Sequence, residues 1–469
     1  MSENNIEVAS CTVSELFSGK IDKNKNIKGE LVIPEYQRPY VWAEKELEKL
    51  LSDIKEHNAQ AQKPMYYLGS IILHKHGEKL SIIDGQQRLT TLAIIQQIKD
   101  RNVPDIKYSS PITIQHIKKN YEFLEKNYEF QKSGEENKKE YVEVDLEKLN
   151  VTLIVTNNED DAYTFFETHN TAGVRLSGID IIKAHHLRAI SSGGKSDEHY
   201  AVIWEKQKNI ELIVDLLIKA RRWNALEWIH FPSYRDNKGR KDAIIKEFSE
   251  DMWNESEQGD YIQYTQIIAM KKNQYFFSPY KLAIRQPLIN GENFIDYLEQ
   301  FCELYQRLFK CGSYDENSKE YYKFNEKIIQ NVDGTVFLKE LYEISLLCYV
   351  NKFGTENLLE ASFWIFRYTY SLRVSKSKTV REDSIPVFLR SNHYIFDIIL
   401  SSFNHNQLIF SLKQFNYEFN DENTDGDTVK SRFIVRVAEY FGETFNKKDY
   451  DKSLTSAIDN KLKNEKKNG

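Results

Sequence analysis

The sequence predicts an α+β chain, a small mixed sheet with helices at the N-terminal end followed by a mostly α-helical domain. Three observations predict it. Runs rich in β-branched residues and bounded by turn residues (Leu31 to Ile33, Tyr67 to His74, Leu80 to Asp84, Asn150 to Thr156) all lie in the first part of the chain. Beyond the Ser/Gly segment Ser191 to Asp197, apolar residues recur at helical spacing almost to the end. With 469 residues, 41% hydrophobic and 29% charged, the chain has material for a large core and two or three domains. The domains expected are 1–195, carrying an insertion of helix and loop at about 104–145, then a helical domain 196–445 and a Lys-rich flexible tail 446–469.

The totals exclude several classes. No apolar run approaches the roughly 20 residues that span a bilayer, so no membrane partner is expected. The N-terminus has neither the basic nor the apolar region of a signal peptide, which points to a cytoplasmic location. Cys11, Cys302, Cys311 and Cys348 are scattered without a CxxC pair, suiting buried thiols rather than a zinc site or a disulfide framework. A net charge of −6 argues against wholesale binding to nucleic acid but leaves room for a local basic groove.

In order, Glu7 to Phe17 reads as strand into short helix, and Lys20 to Glu30 as a Lys/Asn-rich loop. Ala43 to Glu56 is an amphipathic helix with Leu47, Leu50, Leu51 and Ile54 on one face. The strands at Tyr67 to His74 and Leu80 to Asp84 form a hairpin around Gly77. A helix over Gln86 to Lys99, the strand Asn150 to Thr156 and helices over Glu159 to His169 and Ile179 to Ile190 complete the first domain. Helices are then expected at Tyr200 to Asn209, Ile210 to Ile229, Lys241 to Gln258, Phe294 to Phe309, Thr335 to Asn351, Thr355 to Val374 and Ser431 to Glu443. The run Phe363-Trp364-Ile365-Phe366 is core, with Arg367 and Arg373 as exceptions to its apolar character.

Three patches carry chemistry. In Ser81 to Thr91 a strand ends at Asp84, Gly85 supplies freedom for positive φ, and a helix begins at Gln86. That arrangement aims backbone N–H groups at an anion, with Arg88 one turn inside and Asp84 placed to hold a metal ion or orient a water. The same string also suits a surface turn with a capping aspartate. In the second patch, Tyr36 to Trp42, Gln37 and Arg38 lie between two aromatics and two prolines. A rigid turn of this kind presents a phosphate clamp and a stacking face, or is a kinked strand whose aromatics pack. The third, Glu167 to Lys183, gathers Asn170, Gly173, Arg175, Asp180 and Lys183 around a Gly turn before a helix, a second anion site or a loop with a capped helix. Gly193 to Ser196 imitates the end of a Walker A loop, but Ala189 replaces its first glycine and a helix precedes it.

Together these patches resemble the DGQQR-motif family, which includes the GmrSD-type, modification-dependent restriction proteins. The strings that carry the likeness are Ile33 to Trp42, Tyr67-Leu68-Gly69-Ser70-Ile71 and Asp84 to Leu92. Phe166 to Asn170, followed by Gly173, Leu176, Asp180 and Lys183, looks like a later motif of the same family, and Ile284 to Glu292 like the start of its helical domain. The resemblance implies an N-terminal domain of the ParB/sulfiredoxin-like type that binds a nucleoside triphosphate with Mg²⁺ or a similar divalent cation. Asp84 and Arg88 carry over as catalytic groups, Asp84 also as the metal ligand. The implied nucleotide-binding set is Tyr36, Gln37, Arg38, Gly85, Gln86, Gln87, Thr91, Asn170, Arg175, Asp180 and Lys183.

The implied function is a nucleotide-binding, NTP-hydrolysing subunit of an antiphage restriction system that gates cleavage of modified phage DNA. Alternatives are a non-catalytic nucleotide or DNA sensor that recruits an effector, and a pocket that nicks DNA itself. The chain departs from full-length family members in having no histidine–metal nuclease motif; His393 and His405 have no fitting ligands around them in the sequence. A nuclease partner chain or a homo-oligomer is therefore expected.

Overall fold

A computed structural model of the chain describes residues 6–19, 21, 27–59, 65–100, 104, 106–108, 110–131, 139–158, 161–162, 177–190, 197–252, 267–271, 274–277, 282–310, 319–332, 336–376, 379–391, 394–445 and 449–468. They fall into two compact units, Met1–Lys206 and Gln207–Gly469. The first holds a small mixed sheet with helices and the second is mostly helical, as the α+β reading expects.

In the first unit the elements run β1 (Ile6–Thr12), α1 (Val13–Ser18), β2 (Glu30–Val32), α2 (Glu44–Asn58), β3 (Tyr66–His76), β4 (Lys79–Asp84) and α3 (Gln86–Asp100). There follow α4 (Pro111–Asn127), the two-residue strands β5 (Tyr128–Glu129) and β6 (Glu140–Tyr141), β7 (Leu149–Thr156), α5 (Gly178–Arg188) and α6 (Asp197–Lys206). Five strands pair in the order β1-β7-β3-β4-β2. β1 with β7 and β3 with β4 are antiparallel, whereas β3 with β7 and β2 with β4 are parallel. Ile71, Leu73, Leu80, Ile82, Val151 and Leu153 of the sheet meet Leu47, Leu51 and Ile54 of α2 and Leu89, Leu92 and Ile95 of α3 in one core.

Two expectations change here. The segment taken as an insertion supplies α4, which is built into the core: Leu124 is buried, and Asn120 donates to Trp42 O at 2.7 Å and Tyr40 Oη at 2.9 Å. The unit also extends past the Ser/Gly segment to Lys206, because Glu205 of α6 pairs with Lys183 of α5 at 3.2 Å. The expected helix Glu159 to His169 lies almost wholly outside the described residues.

The second unit is built on two helices, α11 (Val336–Phe353) and α12 (Leu358–Ser375), after α7 (Ile210–Arg222), α8 (Asn237–Ile245), a hairpin of β8 (Ile267–Lys271) and β9 (Gln274–Phe277), α9 (Glu292–Tyr305) and α10 (Lys319–Phe324). Phe363, Trp364, Ile365 and Phe366 are fully buried. α7 stops at Arg222, short of the expected Ile229, and Arg285 caps it by donating to Ala220 O at 2.7 Å and Trp223 O at 3.1 Å. The later helices are α13 (Ser384–Ser391), α14 (Ile395–Ser401), α15 (His405–Gln414), α16 (Val429–Phe441) and α17 (Tyr450–Asn468).

α17 replaces the flexible tail that composition suggested. Leu454, Ile458 and Leu462 recur every fourth residue and are buried, while Lys452 and Lys463 are exposed on the other faces. Arg367 anchors its start with a forked pair to Asp451 at 2.7 and 2.6 Å. No helix of the described residues is long and apolar enough to cross a membrane.

Glu343 on α11 is 3% exposed, with one oxygen on Tyr305 Oη at 3.2 Å and the other 4.0 Å from Lys339 Nζ. Burial pushes its carboxyl up to about 7, against the pull of Lys339, Tyr305 and Lys310 and with the push of Glu340. A carboxyl that holds its proton longer when folded loses stability as pH rises from its unfolded value through 7. Between pH 5 and pH 8 this one group withdraws on the order of 3 kcal/mol, at about 1.4 kcal/mol per unit. Glu343→Gln is expected to flatten the fall in melting temperature over that range and to melt above wild type at pH 8; parallel melting curves for the two proteins would remove Glu343 from the account.

Candidate functional site

β4 ends at Asp84, and Gly85 turns the chain with φ +98° into α3, whose first turn closes with Leu89 N donating to Gly85 O at 2.9 Å. A Cβ at Gly85 would overlap the Ile71 side chain, so glycine is required twice over, by conformation and by space. β3 carries a bulge between Tyr67 and Gly69 in its pairing with β7, with Gly69 at φ +113°. Arg88 lies against that bulge. It donates to Leu68 O at 3.0 Å, Ser70 O at 2.9 Å and Asp84 Oδ2 at 3.1 Å. The guanidinium thus holds strand, turn and helix together and fixes one oxygen of Asp84; the other oxygen has no hydrogen bond among the described residues.

The three glutamines of the site have distinct jobs. Gln87 accepts from Val41 N at 3.0 Å and Trp42 N at 3.2 Å and donates to Pro39 O at 3.1 Å, stapling the proline-rich segment to α3. Gln37 donates to Ile83 O at 2.7 Å, fastening the same segment to the end of β4. Thr91 is fully buried and shares a 2.8 Å hydrogen bond with Tyr40 Oη. Tyr36 and Tyr40 turn inward, at 9% and 0% exposure, so they pack and do not form the stacking face that the sequence suggested. Gln86, by contrast, is 5% exposed and its Oε1 has no partner among the described residues.

Arg38 differs from these: it is half-buried and makes no hydrogen bond or ion pair among the described residues. It lines a cavity of about 20 Å³ with Gln86, Gln37, Lys107, Ser110 and Glu205. Two helix N-termini meet there. Gln86 opens α3, and Ser110 is the N-cap of α4, accepting from Thr113 N at 3.3 Å. The positive ends of two helices of 15 and 17 residues, together with the Arg38 guanidinium, favour an anion at the cavity's mouth.

Lys183 is 3% exposed, pairs with Glu205 at 3.2 Å and reaches Gln37 O at 3.4 Å. Burial lowers the pKa of its ammonium, opposed by Glu205, Asp180 and Glu35. Asp180 works locally, accepting from Ser177 N at 3.0 Å and Ser177 Oγ at 2.9 Å to cap α5. The patches at Asp84, Arg38 and Lys183 therefore come together through Gln37, while Asn170 and Arg175 lie outside the described residues. Sequence reasoning missed Glu205, Ser110 and Lys107. Glu205 stands in a helix with no motif, and its one signal is an acid beside the buried Ala201 and Trp204.

No group of three or more His, Cys, Asp or Glu side chains among the described residues could cage a metal ion. A Mg²⁺ that arrives with a nucleotide needs only one or two carboxylates, and the unengaged oxygen of Asp84 fits that smaller demand.

Residues 13–187 match the model of the GmrSD restriction endonuclease N-terminal domain, and residues 196–427 match a family of unknown function (DUF7834). No curated protein matches the chain.

Proposed function

We propose, for a chain whose residues 13–187 match the GmrSD restriction endonuclease N-terminal domain and whose residues 196–427 match a family of unknown function, a nucleotide-binding, NTP-hydrolysing subunit that gates DNA cleavage in antiphage defence. The observation that carries this reading is the meeting of two helix N-termini with the unengaged Arg38 beside the Asp84–Gly85 turn. The triphosphate lies at those N-termini under Arg38. Asp84, held by Arg88, is the residue placed to hold the divalent ion, which neutralises phosphate charge when bound. DNA, including modified phage DNA, is the substrate gated, and cleavage falls to a nuclease partner or to an oligomer of this chain.

Purified protein with Mg²⁺ is expected to release phosphate from at least one of ATP, GTP, CTP and UTP. Arg38→Ala is expected to raise the KM about 10- to 100-fold with the melting temperature unchanged, because Arg38 makes no hydrogen bond or ion pair among the described residues. Equal KM values would move the phosphate site elsewhere.

A second reading, binding without hydrolysis, draws on the cavity's size: about 20 Å³ admits a water and nothing larger, so a nucleotide's bulk stays outside it. Saturable binding with no phosphate release over hours would favour that sensor role. Nicking of supercoiled plasmid by the protein alone would instead favour a pocket that cuts DNA directly.

A further inference from the structure

Gln86 and Glu205 line the cavity, and each carries one buried side-chain oxygen with no hydrogen-bond donor among the described residues. Gln86 Oε1 and Glu205 Oε2 are both buried and unpartnered among the described residues, at 5% residue exposure and 9% side-chain exposure. Buried oxygens of this kind are normally satisfied by protein or by ordered water. The phosphate that Arg38 and the helix ends attract cannot satisfy them, because an ionised phosphate oxygen has no proton to give. A water has two. About 20 Å³ is the space of one water, which needs about 10–15 Å³. Glu205 cannot swing away, since its Oε1 is held by Lys183 at 3.2 Å. Unpartnered acceptors and the donors of Arg38 and the helix starts on one cavity are the two halves of a hydrolytic site, one for water and one for phosphate.

We propose that this cavity holds the attacking water of NTP hydrolysis and that Glu205 is its general base. The proposal rests on the nucleotide reading above and adds a catalytic residue outside the stretch that matches the restriction family. Gln86 Oε1 and Glu205 Oε2 each take one water hydrogen, which leaves an oxygen lone pair free to face the γ-phosphorus. As the oxygen–phosphorus bond forms, the proton on the Glu205 side passes to Oε2. The bond from γ-phosphorus to the bridging oxygen breaks, and its electron pair leaves with the nucleoside diphosphate. Lys183 keeps the carboxylate aimed and Gln86 fixes the second hydrogen, so the water enters already oriented.

The test is phosphate release and nucleotide affinity, measured with ATP, GTP, CTP and UTP in Mg²⁺ on the intact chain, with and without plasmid DNA. Glu205→Gln keeps the size and loses the base. Its kcat is expected to fall at least 100-fold with Kd within about threefold of wild type, the usual worth of a general base. Glu205→Asp keeps the charge beside Lys183 and draws the carboxylate back, so it stays folded even if the amide variant does not. A displacement of about 1 Å is expected to lower its kcat about 100-fold at unchanged Kd in a protein that still unfolds cooperatively. If wild type hydrolyses and both variants keep its kcat, Glu205 is not the base and the nucleotide reading stands. If wild type releases no phosphate from any of these nucleotides, both the reading and the proposal fall.

Discussion

Arg88→Met is expected to destabilise the first unit by about 3 kcal/mol, the largest stability effect of any residue in the motif. The side chain donates to Leu68 O, Ser70 O and Asp84, in a pocket where 23% of it meets solvent. Methionine fills much the same space but leaves two strand carbonyls without donors, each at about 1–3 kcal/mol. Asp84→Ala loses only the ion pair, and Arg88 keeps both carbonyls, so its unfolding free energy should stay within about 1 kcal/mol of wild type. Chemical denaturation of the two variants in parallel checks the contrast, and equal midpoints would mean that Arg88 does not brace the bulge.

The largest functional effect is expected at the other end of that ion pair. Asp84→Ala should lose phosphate release by at least 100-fold while remaining folded. Its carboxylate sits where β4 ends, with Oδ2 fixed by Arg88 and Oδ1 without a hydrogen bond among the described residues. If Asp84 holds the divalent ion as proposed, removing its carboxylate takes away charge stabilisation that a preorganised site supplies at little reorganisation. Wild-type turnover in a folded Asp84→Ala protein would remove Asp84 from the chemistry.

These two neighbours show what the sequence holds and what it hides. Strand, Gly turn and helix at Ser81 to Thr91 were legible because each obeys a local rule: β-branched run, φ-permissive glycine, helical spacing. The division of labour inside that string was not. Gln86 and Gln87 are adjacent identical residues, yet one is a threefold staple and the other carries an orphaned oxygen. Their directions differ by one helical step, and which partner each meets is set by Pro39 to Trp42, far away in the chain. Arg88 reads as a phosphate-facing fork in sequence because nothing local announces the bulge at Gly69 that receives it. Glu205 was illegible for the same reason, since its meaning depends on Lys183 and the cavity.

In the helical unit, packing likewise overrode composition. Lys and Asn suggested a fraying end, but the buried stripe of Leu454, Ile458 and Leu462 and the anchor from Arg367 make it a helix. Conversely, α7 reads as continuing through Ala225 to Ile229, yet Trp223 leaves the helix with ψ 76° and Arg285 takes its last carbonyls. A cap contributed from another part of the chain has no local sequence signature.

Calorimetric titration of the intact chain with each nucleoside triphosphate in Mg²⁺, repeated on Arg38→Ala, tests the phosphate site most directly. Saturable binding at one site per chain, weakened about 10-fold or more by Arg38→Ala at unchanged melting temperature, is the predicted result. Absence of binding heat for all of them at several temperatures, or affinity indifferent to Arg38, would contradict a nucleotide site at the meeting of α3 and α4.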